Sequence, residues 1–370
     1  MIQVARPLLG KAELDSVDRV LKTGWLGMGD KVFQFETKLK EMFKRKHAIC
    51  VNTGTTALHL ALDAIGLKKG DEVIVPSFTF VATVQPIVMC GGIPRFCDIR
   101  TEDLNMDVRH AGKLISKKTK AIIPVHYGGA PCNMSEILKL AKKHRLRVIE
   151  DAAHAFGSRY NGRLIGSFGD ITCFSFDPIK TITCGEGGAI LLDDRGLSET
   201  VTKKRMLGID KDTWSRYKHK RSWFYEVHMK GYRYHMGNMN AAIGIAQLAK
   251  FKKFAKKRKQ IAKFYDDKLS NLGAVRIIKR NYSSITPFNY TILAEERDRL
   301  MEFLNGKGII TAINYIPNHL QPFFKRNKAS LPNTESVYEK ILSIPLHAAL
   351  RLRDAEFVAE TIKDFYRKKI

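Results

Sequence analysis

Acidic residues are in short supply in this chain: 37 Asp and Glu stand against 63 Lys and Arg, for a formal net charge of +26 over 370 residues. Such an excess invites a nucleic-acid reading, yet no helix-turn-helix, zinc-finger or RNA-recognition signature accompanies it. The densest run, "FKKFAKKRKQIAKF" from Phe251 to Phe264, is not a basic arm, because the surplus is spread along the whole chain. Solvated lysines on helix faces account for the balance, and anionic small molecules such as phosphates or nucleotide sugars would suit it. The six cysteines (Cys50, Cys90, Cys97, Cys132, Cys173, Cys184) stand singly. None forms C-x-x-C or joins a histidine at zinc-ligand spacing, so they read as reduced structural residues with no metal. Also missing is any apolar run near the ~20 residues that span a bilayer. The opening "MIQVARPLLGKAELDSV" turns charged by Lys11 and lacks the apolar core of a signal peptide. The expectation is a globular protein of the cytoplasm, with neither a membrane nor a nucleic-acid partner.

What is present from residue 47 onward is an alternation of strand-like and helix-like segments. Short apolar runs recur in "HAICVNTG", "GDEVIVPS", "IPRFCDI", "KAIIPVHYGG", "RVIEDAA", "ITCFSF" and "GGAILLDD". Between them lie segments of helical spacing, such as "TTALHLALDAIG" and "SEILKLAKKHRL". Repeated β-α-β units with near-continuous apolar strands predict an α/β fold with a largely parallel sheet covered on both faces. A stretch without proline or glycine between Gly244 and Gly273 reads as a helix leading to a smaller α+β lobe. That lobe is expected to hold strands "SITPFNYTIL" and "ITAINYI", and helices at "ERDRLMEFLNG", "NTESVYEKIL" and "RDAEFVAETIKDFY". The division expected is a large α/β domain over 1–250 and a small α+β domain over 251–370.

Ligands of such sheets sit at the carboxyl ends of the strands. Those ends read "NTGTT", "PSFTF", "VHYGG", "EDAAH" and "SFDPIK", polar and glycine-rich. Gly54, Thr55 and Thr56 fall where a strand turns into a helix, a place for an anion or for an ordinary threonine cap. Neither G-x-x-x-x-G-K-[ST] nor a strand followed by G-x-G-x-x-G occurs, so a P-loop and a dinucleotide fold are unsupported. Asp151 ends an apolar strand with His154 three residues on. The pair could hold a protonated ring nitrogen and contact the ring, or be a helix cap and a structural histidine. Phe78 and Phe80 lie at another strand end, where one could stack on a flat cofactor or both could be core. Ser175, Asp177 and Lys180 follow a further strand, and a desolvated lysine is the side chain that forms a Schiff base with a carbonyl. An anion cup, a strand-end carboxylate, a stacking ring and a lysine are together what pyridoxal 5'-phosphate requires of a protein.

The sequence resembles the DegT/StrS family of sugar-nucleotide aminotransferases, within the fold-type I pyridoxal-phosphate superfamily. The likeness runs almost end to end through "GWLGMGDKVFQFE", "NTGTTALHLAL", "VPSFTFVAT", "PVHYGG", "VIEDAAHAFGSRYNGRLIGSFGDITCFSF", "GEGGAI", "GYRYHM" and "LPNTESV". The resemblance implies the fold-type I architecture, a large domain with a mixed, mostly parallel seven-stranded sheet and a smaller C-terminal α+β domain. Lys180 matches the lysine that holds the cofactor, Asp151 the partner of its pyridine nitrogen, and His154 a position touching the ring side. Phe80 matches the stacking aromatic, and Thr55, Thr56 and Ser175 match phosphate binders. The family works as a homodimer with shared active sites, and "GYRYHM" falls on the segment that reaches across. There the usual pattern is "GYNYRM": Arg233 replaces an asparagine credited with a cofactor-phosphate contact from the neighbouring subunit and could serve that phosphate instead, and His235 replaces the arginine. Asp177 stands where many members carry histidine.

The activity implied is a ping-pong transamination. Lys180 holds pyridoxal phosphate, L-glutamate gives up its amino group and leaves as 2-oxoglutarate, and the pyridoxamine form aminates C4 or C3 of a nucleotide-diphosphate-linked keto-6-deoxy sugar. The products would serve cell-surface glycans such as the O-antigen of lipopolysaccharide. One rival is a pyridoxamine-dependent sugar dehydratase, but those enzymes carry histidine where this chain has Lys180. A second is a non-catalytic regulatory or nucleic-acid-binding protein, which would need none of Lys180, Asp151 and Ser175. Sugar choice is expected to rest on "GWLGMGD", on residues 210–227 and on "NYIPNHLQPFF". His319 and His347 face the sugar or are structural.

Overall fold

The computed structural model describes residues 1–209, 224–325 and 329–367. Seven strands form its large sheet: β1 (His47–Val51), β2 (Glu72–Pro76), β3 (Ile93–Cys97), β4 (Thr119–Ile122), β5 (Arg147–Asp151), β6 (Ile171–Ser175) and β7 (Gly188–Leu192). Their order is β1-β7-β6-β5-β4-β2-β3. Strand β7 runs antiparallel to both its neighbours, and the remaining pairs are parallel. The continuous apolar runs have the consequence expected of them. Every residue of β2 and β7 is buried, because helices cover both faces of the sheet and leave no strand side for water. Alternation sends Cys50, Ile74 and Val148 into one core and Ile49, Val51, Val73, Val75 and Ile149 into the other.

The helix Asn238–Leu269 joins this sheet to a second, three-stranded one made of Val275–Ile277, Tyr290–Ala294 and Ile341–Ile344. Ala241 and Phe254 belong to the core of the large sheet, whereas Ile261, Tyr265 and Leu269 belong to that of the small one. The strand expected at "ITAINYI" does not form; pairing is limited to a single bridge, Ala312 to Ser343. Two residues later Asn314 and Tyr315 turn into a cavity of the large sheet, so the segment cannot stay in a ladder. Ile341–Ile344 is a strand rather than the end of a helix, since "NTESVYEK" already closes its helix at Lys340.

At the end of β5 the alternation separates two neighbouring carboxylates. Glu150 is fully buried on the face away from Asp151, accepting hydrogen bonds from His126 Nε2 (3.0 Å), Gly169 N–H (2.7 Å) and the Thr172 hydroxyl (2.8 Å). His126 Nδ1 accepts the Cys132 N–H, which leaves the ring proton on Nε2 for Glu150. Burial alone would raise the Glu150 pKa, but these donors hold its carboxyl below the usual range. All six cysteines are free thiols. Among the described residues no helix is long and apolar enough to cross a membrane, and no His/Cys/Asp/Glu group could hold a metal ion.

Glu150→Ala removes a charged acceptor and leaves the Gly169 N–H unpaired, so stability should fall by about 3 kcal/mol or more in urea unfolding. The wild-type contribution is complete above about pH 4.3 and fades as pH falls through the lowered folded value. The variant should therefore lose part of the acid sensitivity, and an unchanged pH profile would contradict the assignment.

Candidate active site

The carboxyl ends of β1, β5 and β6 open onto one cavity of about 380 Å3. Gly54, Thr55, Phe80, Asp151, His154, Ser175, Asp177 and Lys180 line it, together with Thr83, Glu186 and Tyr315. Thr56 and Arg233 are not among its walls.

One end is built by the helix Gly54–Ala64. Thr53 caps it: its hydroxyl accepts the Thr56 N–H (3.1 Å), while the Thr56 hydroxyl accepts the Thr53 N–H (3.2 Å) and donates to Asn52 Oδ1 (2.8 Å). Thr56 therefore serves the cap with its hydroxyl. The N–H groups of Gly54 and Thr55 precede the first intrahelical acceptors and lie at the positive end of the helix. A Cβ on Gly54 would come within 2.7 Å of Ser175 Cβ, so only glycine lets β6 bring the Ser175 hydroxyl alongside this cup. Backbone donors, a hydroxyl and a helix dipole in one corner suit an anion such as a phosphate.

On the other side, Asp151 is buried at 5% exposure. Its Oδ2 accepts from the Thr83 hydroxyl at 2.7 Å and its Oδ1 from Ala153 N–H at 3.1 Å. Thr79 bonds Thr83 in turn at 2.8 Å, so the carboxylate is held by a chain of hydroxyls rather than by a cation. The sequence "PSFTFVAT" contained Thr83, but its two phenylalanines carried the stronger signal. Phe78 is in fact core, 1% exposed, and Phe80 is exposed at 54% over the cavity.

Lys180 sits at the end of a tight turn in which Asp177 Oδ1 accepts the Ile179 N–H and Asp177 O accepts the Lys180 N–H. Its ammonium lies 4.5 Å from the centre of the Phe288 ring. Burial pushes its pKa down to about 8, with Asp151 and Asp177 pulling the other way. Asp177, which departs from the family pattern, is thus a carboxylate facing the amine. Glu186 shares the cavity, and its pKa is raised by burial and by Asp177.

His154 lies flat on Phe288, with ring centres 4.0 Å apart and planes at 12°. Its Nδ1 accepts the Gly128 N–H and its Nε2 is 3.0 Å from the Tyr315 hydroxyl. Burial, then Lys180 and Arg280, push its pKa well below the ordinary histidine value. Nothing in the sequence pointed to Phe288 or Tyr315 as neighbours of this ring.

His319 is structural: its ring bonds Ser77 Oγ (2.7 Å) and Glu335 (3.2 Å). His347 is buried beside Arg258, which together with burial pushes its pKa down to about 4. Neither lines the cavity. Arg233 and His235 instead line a second cavity, of about 490 Å3, with Gly24–Met28, Met206, Leu207 and Ile209. The segment 210–227, expected to bear on sugar choice, lies outside the described residues as far as residue 223.

A lysine is reactive when unprotonated, so reductive methylation of Lys180 in ligand-free protein should rise through a midpoint near pH 8. Exposed lysines should rise near ~10.4. Asp177→Asn removes a charge that favours the ammonium and should move the Lys180 midpoint lower still, as read by peptide mass spectrometry. A midpoint equal to that of surface lysines would contradict the desolvated setting.

Residues 7–363 match the model of the DegT/DnrJ/EryC1/StrS aminotransferase family. The protein MJ1066 of Methanocaldococcus jannaschii is 40% identical over 97% of this chain and 96% of its own. SpsC of Bacillus subtilis, a spore coat polysaccharide biosynthesis protein, is 36% identical over 98% of this chain and 96% of its own. Among solved structures, the PMP form of Spr1654 from Streptococcus pneumoniae, described as a sugar aminotransferase, superposes with a TM-score of 0.94. It is 26% identical, with all of both chains covered. Fold, cavity and sequence agree that this chain belongs to the DegT/DnrJ/EryC1/StrS family and is a sugar aminotransferase.

Proposed function

We propose that the chain uses pyridoxal 5'-phosphate, cycling through the pyridoxamine form, to move an amino group from L-glutamate to a nucleotide-linked keto-6-deoxy sugar. The keto carbon would be C4 or C3, and the product a building block of a cell-surface glycan. The observation that carries the reading is the meeting of Lys180 and Asp151 in one cavity whose far corner is the Gly54–Thr55–Ser175 cup. That donor set fits the cofactor: a phosphate corner, a fixed carboxylate, an exposed aromatic ring and a depressed amine. The Spr1654 structures in PMP and PLP forms support the same choice. SpsC supports the glycan role through its part in spore coat polysaccharide synthesis.

When bound, the cofactor supplies an electrophilic aldehyde and a ring that absorbs negative charge. The N–H groups of Gly54 and Thr55 and the Ser175 hydroxyl would bind its phosphate. Asp151, oriented by Thr83 and Ala153, would keep the ring nitrogen protonated. Phe80 would cover one face. Lys180, with a pKa near 8, can both accept and return a proton close to neutral pH, as a general base and acid must.

We infer that the working species is a homodimer in the cytoplasm, with residues 1–250 as the cofactor-holding domain and 251–370 as the smaller one. Leu26, Leu207 and Val227 are exposed apolar residues, and Leu26 and Leu207 border the Arg233 cavity. In the cavity of Lys180 no arginine and no second lysine occurs among the described residues. A cation for the cofactor phosphate would then come from a second copy, with Arg233 in the place of the family's asparagine.

A panel of keto-sugar nucleotides incubated with glutamate and followed by mass spectrometry tests the reading; an aminated sugar from one of them is the expected result. Lys180→Ala should lower turnover by ~10^2- to 10^4-fold or more. Asp151→Asn should lower the rate with the fold retained, since a neutral amide does not stabilise a protonated ring nitrogen. Near-normal turnover in either variant would contradict the role given to that residue.

A further inference from the structure

The hydrogen bonds around His154 determine where the proton of Tyr315 points. A backbone N–H can only donate, so His154 Nδ1, which takes the Gly128 N–H, is the lone-pair nitrogen. The ring is 5% exposed, and Lys180 and Arg280 add positive charge near it, so it is neutral with its one proton on Nε2. That proton is donated to the Tyr315 oxygen, 3.0 Å away. A phenol has a single proton of its own, and it cannot return along a bond already occupied by Nε2–H. Among the described residues no other group bonds the Tyr315 oxygen. The residue lines the Lys180 cavity, its ring packed between His154 (centres 5.9 Å, planes 22°) and Phe80 (5.5 Å).

We propose that Tyr315 is a binding residue that presents a fixed O–H donor to an oxygen acceptor of the molecule held in the Lys180 cavity, with His154 as its positioning residue. The acceptor is either the phenolic oxygen of the pyridine ring or the carbonyl oxygen of the substrate. Both chemistries ask for a neutral donor beside the reacting carbon, and burial raises the phenol's pKa so that the donor persists through neutral and alkaline pH. His154 thereby acts through Tyr315: it blocks the competing orientation of the phenol. The inference rests on the pyridoxal-phosphate reading of the site.

The test uses full-length protein stripped of cofactor and titrated calorimetrically with pyridoxal 5'-phosphate and with its 3-deoxy analogue. Both half-reactions are then followed in single turnover. If the acceptor is the ring oxygen, Tyr315→Phe weakens pyridoxal 5'-phosphate about tenfold and leaves the deoxy analogue unchanged. If it is the substrate carbonyl, both ligands bind as in wild type and the half-reactions that form or consume a carbonyl slow about tenfold. His154→Leu should reproduce the Tyr315→Phe pattern, with the double variant no worse than either single one. His154→Gln keeps an acceptor and a donor on one side chain and should recover most of the loss. Equal weakening of both cofactors, or no change in any readout, overturns the proposal. Failure of the wild-type apoprotein to bind pyridoxal 5'-phosphate would instead sink the cofactor reading itself.

Discussion

The site depends on one consequence of strand geometry: at the end of β5, Glu150 and Asp151 must face opposite ways. Glu150 is fully buried and held by His126, Gly169 and Thr172. With Glu150 held on one face, strand alternation turns Asp151 to the cavity. The adjacent parallel strand β6 brings Ser175 level with the helix cup, and the turn after it carries Lys180 back over Phe288. Two charges of opposite sign are thus presented to one small volume from rigid elements, which is what a preorganised site requires.

Charge in that volume runs against the chain as a whole. The protein carries +26, yet the cavity holds Asp151, Asp177 and Glu186 against Lys180. An acidic surround lets the amine keep some affinity for its proton despite burial, so its pKa stops near 8 rather than falling further. The basic surplus of the chain therefore lies outside this cavity.

Much of this was legible in the sequence because the information is local. All seven strands of the large sheet follow from apolar runs, and Gly54, Asp151, Ser175 and Lys180 follow from their places at strand ends. Contacts made across long stretches of chain were not legible. Thr83 reaches Asp151 from 68 residues away and Tyr315 reaches His154 from 161. No periodicity encodes such meetings. The run 310–316 misled for a related reason: its β-rich composition describes a strand, but Asn314 and Tyr315 line the Lys180 cavity instead, and tertiary context overrode propensity. Thr56 shows the converse, a residue whose local capping role takes its hydroxyl out of the cup that its position suggested.

Everything proposed for this site depends on the amine of Lys180. Borohydride reduction of the purified protein, followed by peptide mapping, asks directly which side chain holds the cofactor. The expected result is the reduced cofactor's mass on the peptide containing Lys180 and on no other. The same mass on a different lysine, or none anywhere after loading with pyridoxal 5'-phosphate, would contradict it.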